Sequence, residues 1–516
     1  MRGPFVNEPS LDFSCEENRA PMRAALADVG KQLGGTYPLI IGTERRETGQ
    51  WITSVNPGKP DQVVGKVAKA GPAEVEEAIA VAREAFTSWR TMPAEARASV
   101  LFRIAGIVRR RRLELAAWMV YELDKAWDEA DGEVAEAVDF LEWYGRQALK
   151  LGLRPELGTL PDEATDYRYA PLGVGVVIPP WNFPCAILTG MTTAPVVVGN
   201  TVIVKPASNT PIIGYKMIEI MLEAGVPAGV VNFLPGDGSE IGDLLVDHPG
   251  IRFVAFTGSK DVGVRIYERA AKVQPGQRWL KRVTAEMGGK DAIIVDADAD
   301  IDAAVEGIVT SAFGFQGQKC SACSRAIVHA DVYDAIVDGV VERTQKTVRV
   351  GPGLEGEATV GAIVDRKQYD SIQRYIEIGE QEGRVAYRGE TVDGDGYYIP
   401  PVVFADVPEN ARIAREEIFG PVLAIVKAQD FDDALRIAND SEYGLTGSVY
   451  SRNRAHLEQA RQEFEVGNLY LNRKCTGAMM GVHPFGGIKL SGAGSKPGGP
   501  DYLLSFVEAK AIGERL

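Results

Sequence analysis

The stretch GVGVVIPPWNFP, Gly173–Pro184, sets a short β-branched run against an abrupt pair of prolines. Val174–Ile178 reads as a buried strand because branched side chains pack well on a pleated surface. Pro179 and Pro180 remove backbone donors and end it. Working outward, TVIVK (201–205), VVNFL (230–234) and RFVAF (252–256) repeat the pattern, with helical spacing over 212–225, 239–248 and 264–273 between them. Strands alternating with helices predict a doubly wound parallel sheet, an α/β fold. Ligands of such a sheet belong after Ile178, Lys205, Leu234 and Phe256, at the carboxyl ends of the strands. A second α/β unit begins near DAIIVD (291–296), with a helix over 301–315 and strands at RAIVH (325–329) and PVLAIVK (421–427).

Upstream, residues 72–89, 98–123 and 128–150 carry helical apolar spacing. The basic run Arg109–Arg112 is expected on a solvated face. Residues 153–171 alternate and contain prolines, as a protruding hairpin or arm would. The tail from Asp501 is amphipathic and suits packing against a partner subunit.

The chain has 516 residues, 45% hydrophobic and 25% charged, with a formal net charge of −15. The acidic balance argues against a nucleic-acid partner. No stretch approaches ~18 uninterrupted apolar residues, so no membrane span is expected. The start, MRGPFVNEPSLDF, lacks the apolar run of a signal peptide. Five cysteines in so long a chain do not resemble a disulfide framework, and a reducing, cytoplasmic setting is expected.

The chemistry gathers in a few loops. Cys320, in GFQGQKCSACSR, sits in a glycine-lined polar segment and is a candidate nucleophile. A redox pair with Cys323 stays open as the alternative. No second CxxC exists, and His248, His329, His456 and His483 show no ligand spacing, so no metal is expected. Glu286, in TAEMGGKDA, is a candidate general base. Asn182, in PPWNFP, follows a strand end, where its amide suits an oxyanion. Gly258, Ser259 and Gly263 lie between a strand and a helix, where a helix N-terminus favours phosphate. Lys205 ends a strand as a cation for ribose or phosphate. Glu417 and Phe419, in EEIFGPV, suit ribose hydroxyls and a nicotinamide ring. Each has a structural alternative: a glycine turn, a surface lysine, a core phenylalanine.

Taken together, GFQGQKCSA, EMGGKDA, PPWNFP, FTGSKDVG, EEIFGPV and HPFGGIKLSG resemble the aldehyde dehydrogenase superfamily in order and approximate spacing over nearly the whole chain. The resemblance implies two doubly wound parallel-sheet domains, one binding NAD and one catalytic, plus a small β oligomerisation arm. It divides the chain into 1–152 with 172–285 for NAD, 286–474 for catalysis, 475–487 as a substrate-anchoring loop, and 153–171 with 488–516 as arm and tail. It makes Cys320 the nucleophile, Glu286 the base and Asn182 the oxyanion donor. It assigns Ile178, Pro179, Pro180, Trp181, Lys205, Ser259, Glu417 and Phe419 to the dinucleotide.

Within the superfamily the chain is most similar to enzymes that oxidise L-glutamate γ-semialdehyde to L-glutamate in proline degradation. Such a substrate carries a carboxylate and an ammonium opposite its aldehyde. Backbone N–H groups of Gly477 and Ala478 suit the carboxylate, and Ser321 and Lys319 add donors beside the nucleophile. Phe183 and Phe485 wall the aliphatic middle, and Glu136 matches a glutamate near that site in the resembling enzymes. Many relatives carry Glu where this chain has Ser208, in KPASNT; a carboxylate there would repel a 2′-phosphate, so NAD preference with appreciable NADP use is expected. The resemblance also implies a homo-oligomer, at least a dimer, with a proline dehydrogenase as a further partner. Another semialdehyde dehydrogenase, a CoA-acylating relative and a catalytically silent protein on the same fold remain the alternatives.

Overall fold

A computed structural model describes residues 3–153 and 157–516. Its largest sheet has eight strands in the spatial order Gly492–Ala493, Arg282–Glu286, Phe253–Thr257, Val174–Ile178, Thr201–Val204, Val231–Phe233, Leu39–Ile41 and Glu44–Arg46. The five central strands, Arg282–Glu286 through Val231–Phe233, are parallel; the outer pairings are antiparallel. Val174–Ile178 is the switch point. The chain runs outward from it to Val231–Phe233, then returns to lay Phe253–Thr257 on its other side. Helices cover both faces, which is why these strands read as unbroken apolar runs. Gly175 is required by this packing, because a Cβ there would sit 2.0 Å from the Phe253 ring.

The second sheet has the order Arg384–Arg388, Val402–Ala405, Val422–Ala428, Cys323–His329, Asp291–Val295, Thr446–Tyr450 and Asn468–Leu471. Only Arg384–Arg388 is antiparallel to its neighbour. Glu286 ends a strand of the first sheet, and five residues later Asp291 starts a strand of the second. The junction therefore joins the carboxyl edge of one sheet to the amino edge of the other. The search rule of carboxyl ends applies to the first sheet alone; the Cys320 loop lies at the amino end of Cys323–His329.

Several expectations are corrected. The helix expected over 98–123 is two, Ala94–Arg110 and Arg112–Leu123, broken at Arg111, whose φ of −100° and ψ of 18° leave the helical region. The basic run there is solvated at Arg109 and Arg110 and partly buried at Arg111 and Arg112. Arg109 pairs with Glu8 and Glu142, and Arg112 with the buried Asp131 at 2.5 Å, so the run fastens the N-terminal segment to the helix Trp127–Leu151. The expected arm and tail are shorter than 153–171 and 488–516. Only Glu163–Pro171 and Val507–Arg515 form an antiparallel ribbon. Gly492–Ala493 joins the first sheet, and Tyr502, Leu503 and Phe506 are buried in the helical core. Residues 154–156 of the expected arm lie outside the described residues.

Candidate active site

Cys320, Glu286 and the expected substrate residues line one cavity of about 410 Å³: Glu136, Phe183, Lys319, Ser321, Gly477, Ala478 and Phe485 all reach it. Five segments of chain bring them there, Glu286 from the end of Arg282–Glu286 and Gly477, Ala478 and Phe485 from the loop after Asn468–Leu471 among them. The loop after Val174–Ile178 supplies Phe183, the turn before Cys323–His329 supplies Lys319 to Ser321, and the helix Trp127–Leu151 supplies Glu136. Asn182 does not line the cavity. It is buried behind the wall, and its Nδ2 donates to the carbonyl of Gln318 at 2.9 Å, two residues before the nucleophile.

Burial dominates the proton affinities. The Cys320 thiol is pushed far up, first by desolvation and then by the carboxylates of Asp291, Glu286 and Glu417. Lys319 does not counter this, because its ammonium is paired with Glu129 at 2.7 Å. The polar appearance of the GQKCSA sequence therefore does not translate into a thiolate-favouring seat. Glu286 is raised to about 8, mainly by burial; one carboxylate oxygen accepts the Gly487 N–H at 3.2 Å, and Lys496 opposes the rise from nearby. Glu136 is also raised to about 8, by burial and then by Glu133 and Asp139.

The amino-acid end of the cavity has complementary groups. Glu136 has no hydrogen bond or ion pair among the described residues, in contrast to Glu129 and Glu133 on the same helix, which are paired with Lys319 and Lys125. Gly477 has a φ of +74°, which glycine adopts without strain. Neither its N–H nor that of Ala478 has an acceptor among the described residues.

None of the dinucleotide candidates lines this cavity. Ile178, Pro179, Pro180, Trp181, Lys205, Ser208, Gly258 and Ser259 lie outside it, on segments that leave the carboxyl ends of the first sheet. Lys205 is buried, and its ammonium has only a 3.4 Å contact with the Pro206 carbonyl, leaving donors for an anionic or hydroxyl-rich group. Desolvation lowers it to about 8. Ser259 is exposed at the N-terminus of the helix Lys260–Ala271. Glu417 accepts the Gly289 N–H at 3.0 Å and is raised to about 7 by burial. Phe419, at φ +58°, stands edge-on to Trp181 with ring centres 5.5 Å apart, closing the two sheets toward each other. These groups fit a dinucleotide. Gly263 also packs closely: a Cβ there would lie 2.3 Å from the Met287 sulfur.

Cys323 is buried in the apolar core of the second unit, and all five cysteines are free. Residues the sequence did not single out include Glu129, Lys290, Lys496 and the pair Lys125–Glu133. Glu129, Glu133 and Glu136 fall at i, i+4 and i+7, one helix face, a spacing that marks them as a set.

Comparison places this geometry among known proteins. A 1-pyrroline-5-carboxylate dehydrogenase of Geobacillus kaustophilus is 57% identical over 514 residues, spanning 100% of both chains. The solved 1-pyrroline-5-carboxylate dehydrogenase from Thermus with bound NAD matches at a TM-score of 0.97 and 52% identity, again over 100% of each chain. Proline utilization A from Bdellovibrio bacteriovorus matches at 0.97 and 46% identity, over 99% of this chain and 53% of its own. Residues 43–512 match the aldehyde dehydrogenase family profile, and the chain belongs to that family.

Proposed function

We propose that this chain oxidises L-glutamate γ-semialdehyde, in equilibrium with 1-pyrroline-5-carboxylate, to L-glutamate with NAD, through a thioester on Cys320. The observation that carries this is the single cavity with Cys320 and Glu286 on its wall, free N–H groups at Gly477 and Ala478, and an unpaired carboxylate at Glu136. Relatives spanning the whole chain carry the matching name.

The thiol of Cys320 releases its proton to water in the cavity and the sulfur adds to the aldehyde carbon, giving a hemithioacetal. The carbonyl oxygen becomes an oxyanion held by the second hydrogen of Asn182 Nδ2, the first staying on Gln318, and by the Cys320 backbone N–H. Bound NAD supplies the hydride acceptor. Glu286 then takes a proton from water, which attacks the thioester and frees the carboxylate product. The carboxylate of the substrate rests on the Gly477 and Ala478 N–H groups and Ser321, its ammonium faces Glu136, and Phe183 and Phe485 flank the methylenes. Selectivity follows from the anchors, since a substrate without them leaves buried donors unpaired.

The first sheet holds the dinucleotide through Lys205, Ser208, Gly258, Ser259 and the Ile178–Trp181 backbone, with Glu417 and Phe419 from the second unit. The glutamate-free Ser208 position supports NADP use beside NAD. The two-stranded ribbon of Glu163–Pro171 and Val507–Arg515 is largely exposed, and such a ribbon is marginal alone in water; this supports a homo-oligomer. The match to about half of a proline-utilisation protein supports a proline dehydrogenase as supplier of the substrate. Free cysteines support a cytoplasmic setting; no described helix is long and apolar enough to cross a membrane. An aldehyde panel followed by NADH absorbance tests the reading. The γ-semialdehyde must exceed glutarate semialdehyde and propanal in kcat/KM; comparable values for propanal overturn it.

A further inference from the structure

Between the helices Arg112–Leu123 and Trp127–Leu151 the chain places a lysine with no exposed surface. The Lys125 ammonium pairs with Glu133, whose side chain is equally buried. It also lies 4.5 Å from the centre of the Phe183 ring and 4.2 Å from that of Phe315, and the two rings meet edge-on at 5.9 Å. Phe183 follows Asn182; Phe315 precedes Cys320 by five residues. One buried cation thus touches both loops that must meet at the reacting carbonyl.

Each half of the pair is fastened. The second oxygen of Glu133 accepts the N–H of Cys185 at 2.7 Å and of Ala186 at 3.1 Å, capping the helix Ala186–Val197 that opens just after Asn182. A carboxylate at a helix N-terminus is favoured by the local dipole. Asp124, at φ +52°, accepts the N–H groups of Gly353 and Ala362 at 2.9 and 3.0 Å. The same 353–364 segment receives a hydrogen bond from Gln316 at Ala362 and gives one to Gln318 from Val364. Phe315 and Gln316 have φ of +48° and +57°, a left-handed turn that non-glycine residues hold only when their surroundings enforce it.

We infer that Lys125 and Glu133 are positioning residues of the aldehyde oxidation: the buried pair and its aromatic cage fix the Asn182 loop against the Cys320 loop, so that oxyanion donor and nucleophile stay in register. This rests on the thioester reading above. Lys125 touches neither substrate nor cofactor. A displacement of about 1 Å between such groups lowers turnover roughly a hundredfold. Removing one partner alone leaves an uncompensated buried charge, so both are changed together.

The decisive variant is Lys125→Met with Glu133→Gln, which keeps an oxygen for the Cys185 and Ala186 N–H groups. It is compared with the unmodified chain for circular dichroism, NAD binding by fluorescence, and steady-state kinetics on the γ-semialdehyde and on propanal. The expected result is a folded protein with unchanged NAD affinity and a kcat lower by roughly ten- to a hundredfold. The factor is shared by both aldehydes, which a disturbance of Glu136 by the neighbouring Glu133 would not produce, since propanal lacks the ammonium that Glu136 faces. In an Asn182→Ala background the same two changes lower kcat less than about threefold, the non-additivity of residues acting through one another. A fall below about fivefold in the folded double variant, or factors that multiply in the Asn182→Ala background, overturns the inference. If the double variant does not fold, Phe315→Leu removes one wall of the cage without touching charge. It must lower kcat at least about fivefold on both aldehydes, and a smaller fall overturns the inference. Failure of the substrate assignment would show separately, as an unmodified chain that reduces NAD with propanal but not with the semialdehyde.

Discussion

The Asn182 side chain donates to the Gln318 carbonyl at 2.9 Å, so the oxyanion donor is held two residues from Cys320 before any carbonyl arrives. This hydrogen bond joins a loop of the first sheet to a turn that leads into the second. Asn182→Ala removes both the bridge and the donor. A fall of about 10²–10³ in kcat is expected, the range for loss of one oxyanion donor. NAD binding, measured by fluorescence, should change little.

Glu286 is expected to set the second half of the reaction. In Glu286→Gln the amide cannot take a proton from water, so one equivalent of NADH per active site should appear as a burst and turnover should then stop. Stopped-flow absorbance reads both phases. In the unmodified chain, a carboxyl raised to about 8 is protonated at pH 7 and ionised above 8. Hydrolysis should therefore accelerate as pH rises from 7 to 9, and a flat profile would remove Glu286 from the base role.

Glu136 is expected to contribute to selectivity and to a pH-dependent stability. Its proton affinity in the fold, about 8, exceeds the ordinary 4.5 of a free glutamate. Between those values the folded form keeps a proton that the unfolded form has lost. Its contribution to stability is complete below pH 4.5 and is lost as pH rises toward 8. Glu136→Gln should flatten the decline in Tm between pH 5.5 and 8. It should also raise KM for the semialdehyde about tenfold or more while leaving that for propanal within about twofold, as expected for loss of an ion-paired anchor.

Ser208 is expected to govern dinucleotide choice. It is half-buried in the turn that follows Thr201–Val204, next to Asn209, which donates to Asp365 at 2.7 Å. Ser208→Glu puts a carboxylate where a 2′-phosphate would lie. Repulsion of about 1.4 kcal/mol already lowers kcat/KM for NADP tenfold. The value for NAD should hold, and equal losses for both dinucleotides would show that the loop was merely distorted.

Much of this was legible from residues alone. The β-branched runs at 174–178, 201–205, 230–234 and 252–256 each mark a strand, because a strand buried on both faces has no polar side to interrupt it. Cys320, Glu286, Phe183 and Gly477, singled out by motif and by resemblance, all line the one cavity. The break at Arg111 was not, since Arg112–Leu123 continues the helical apolar pattern and only the packing of two helices separates them. The close approach of Gly263 to the Met287 sulfur, 2.3 Å from its missing Cβ, was likewise hidden from the sequence.

The sequence by itself determined which residue types stand at each strand end and turn, because those depend on local backbone preference and on burial of a face. Tertiary structure alone decided the charges. Lys319 lies beside Cys320 in sequence yet is paired with Glu129, 190 positions away, and Cys320 is held as a neutral thiol first by burial and then by acidic groups from two stretches of chain, 286–291 and 417. Proton affinity depends on desolvation and on distances through space, and both exist only once the two sheets have closed on each other.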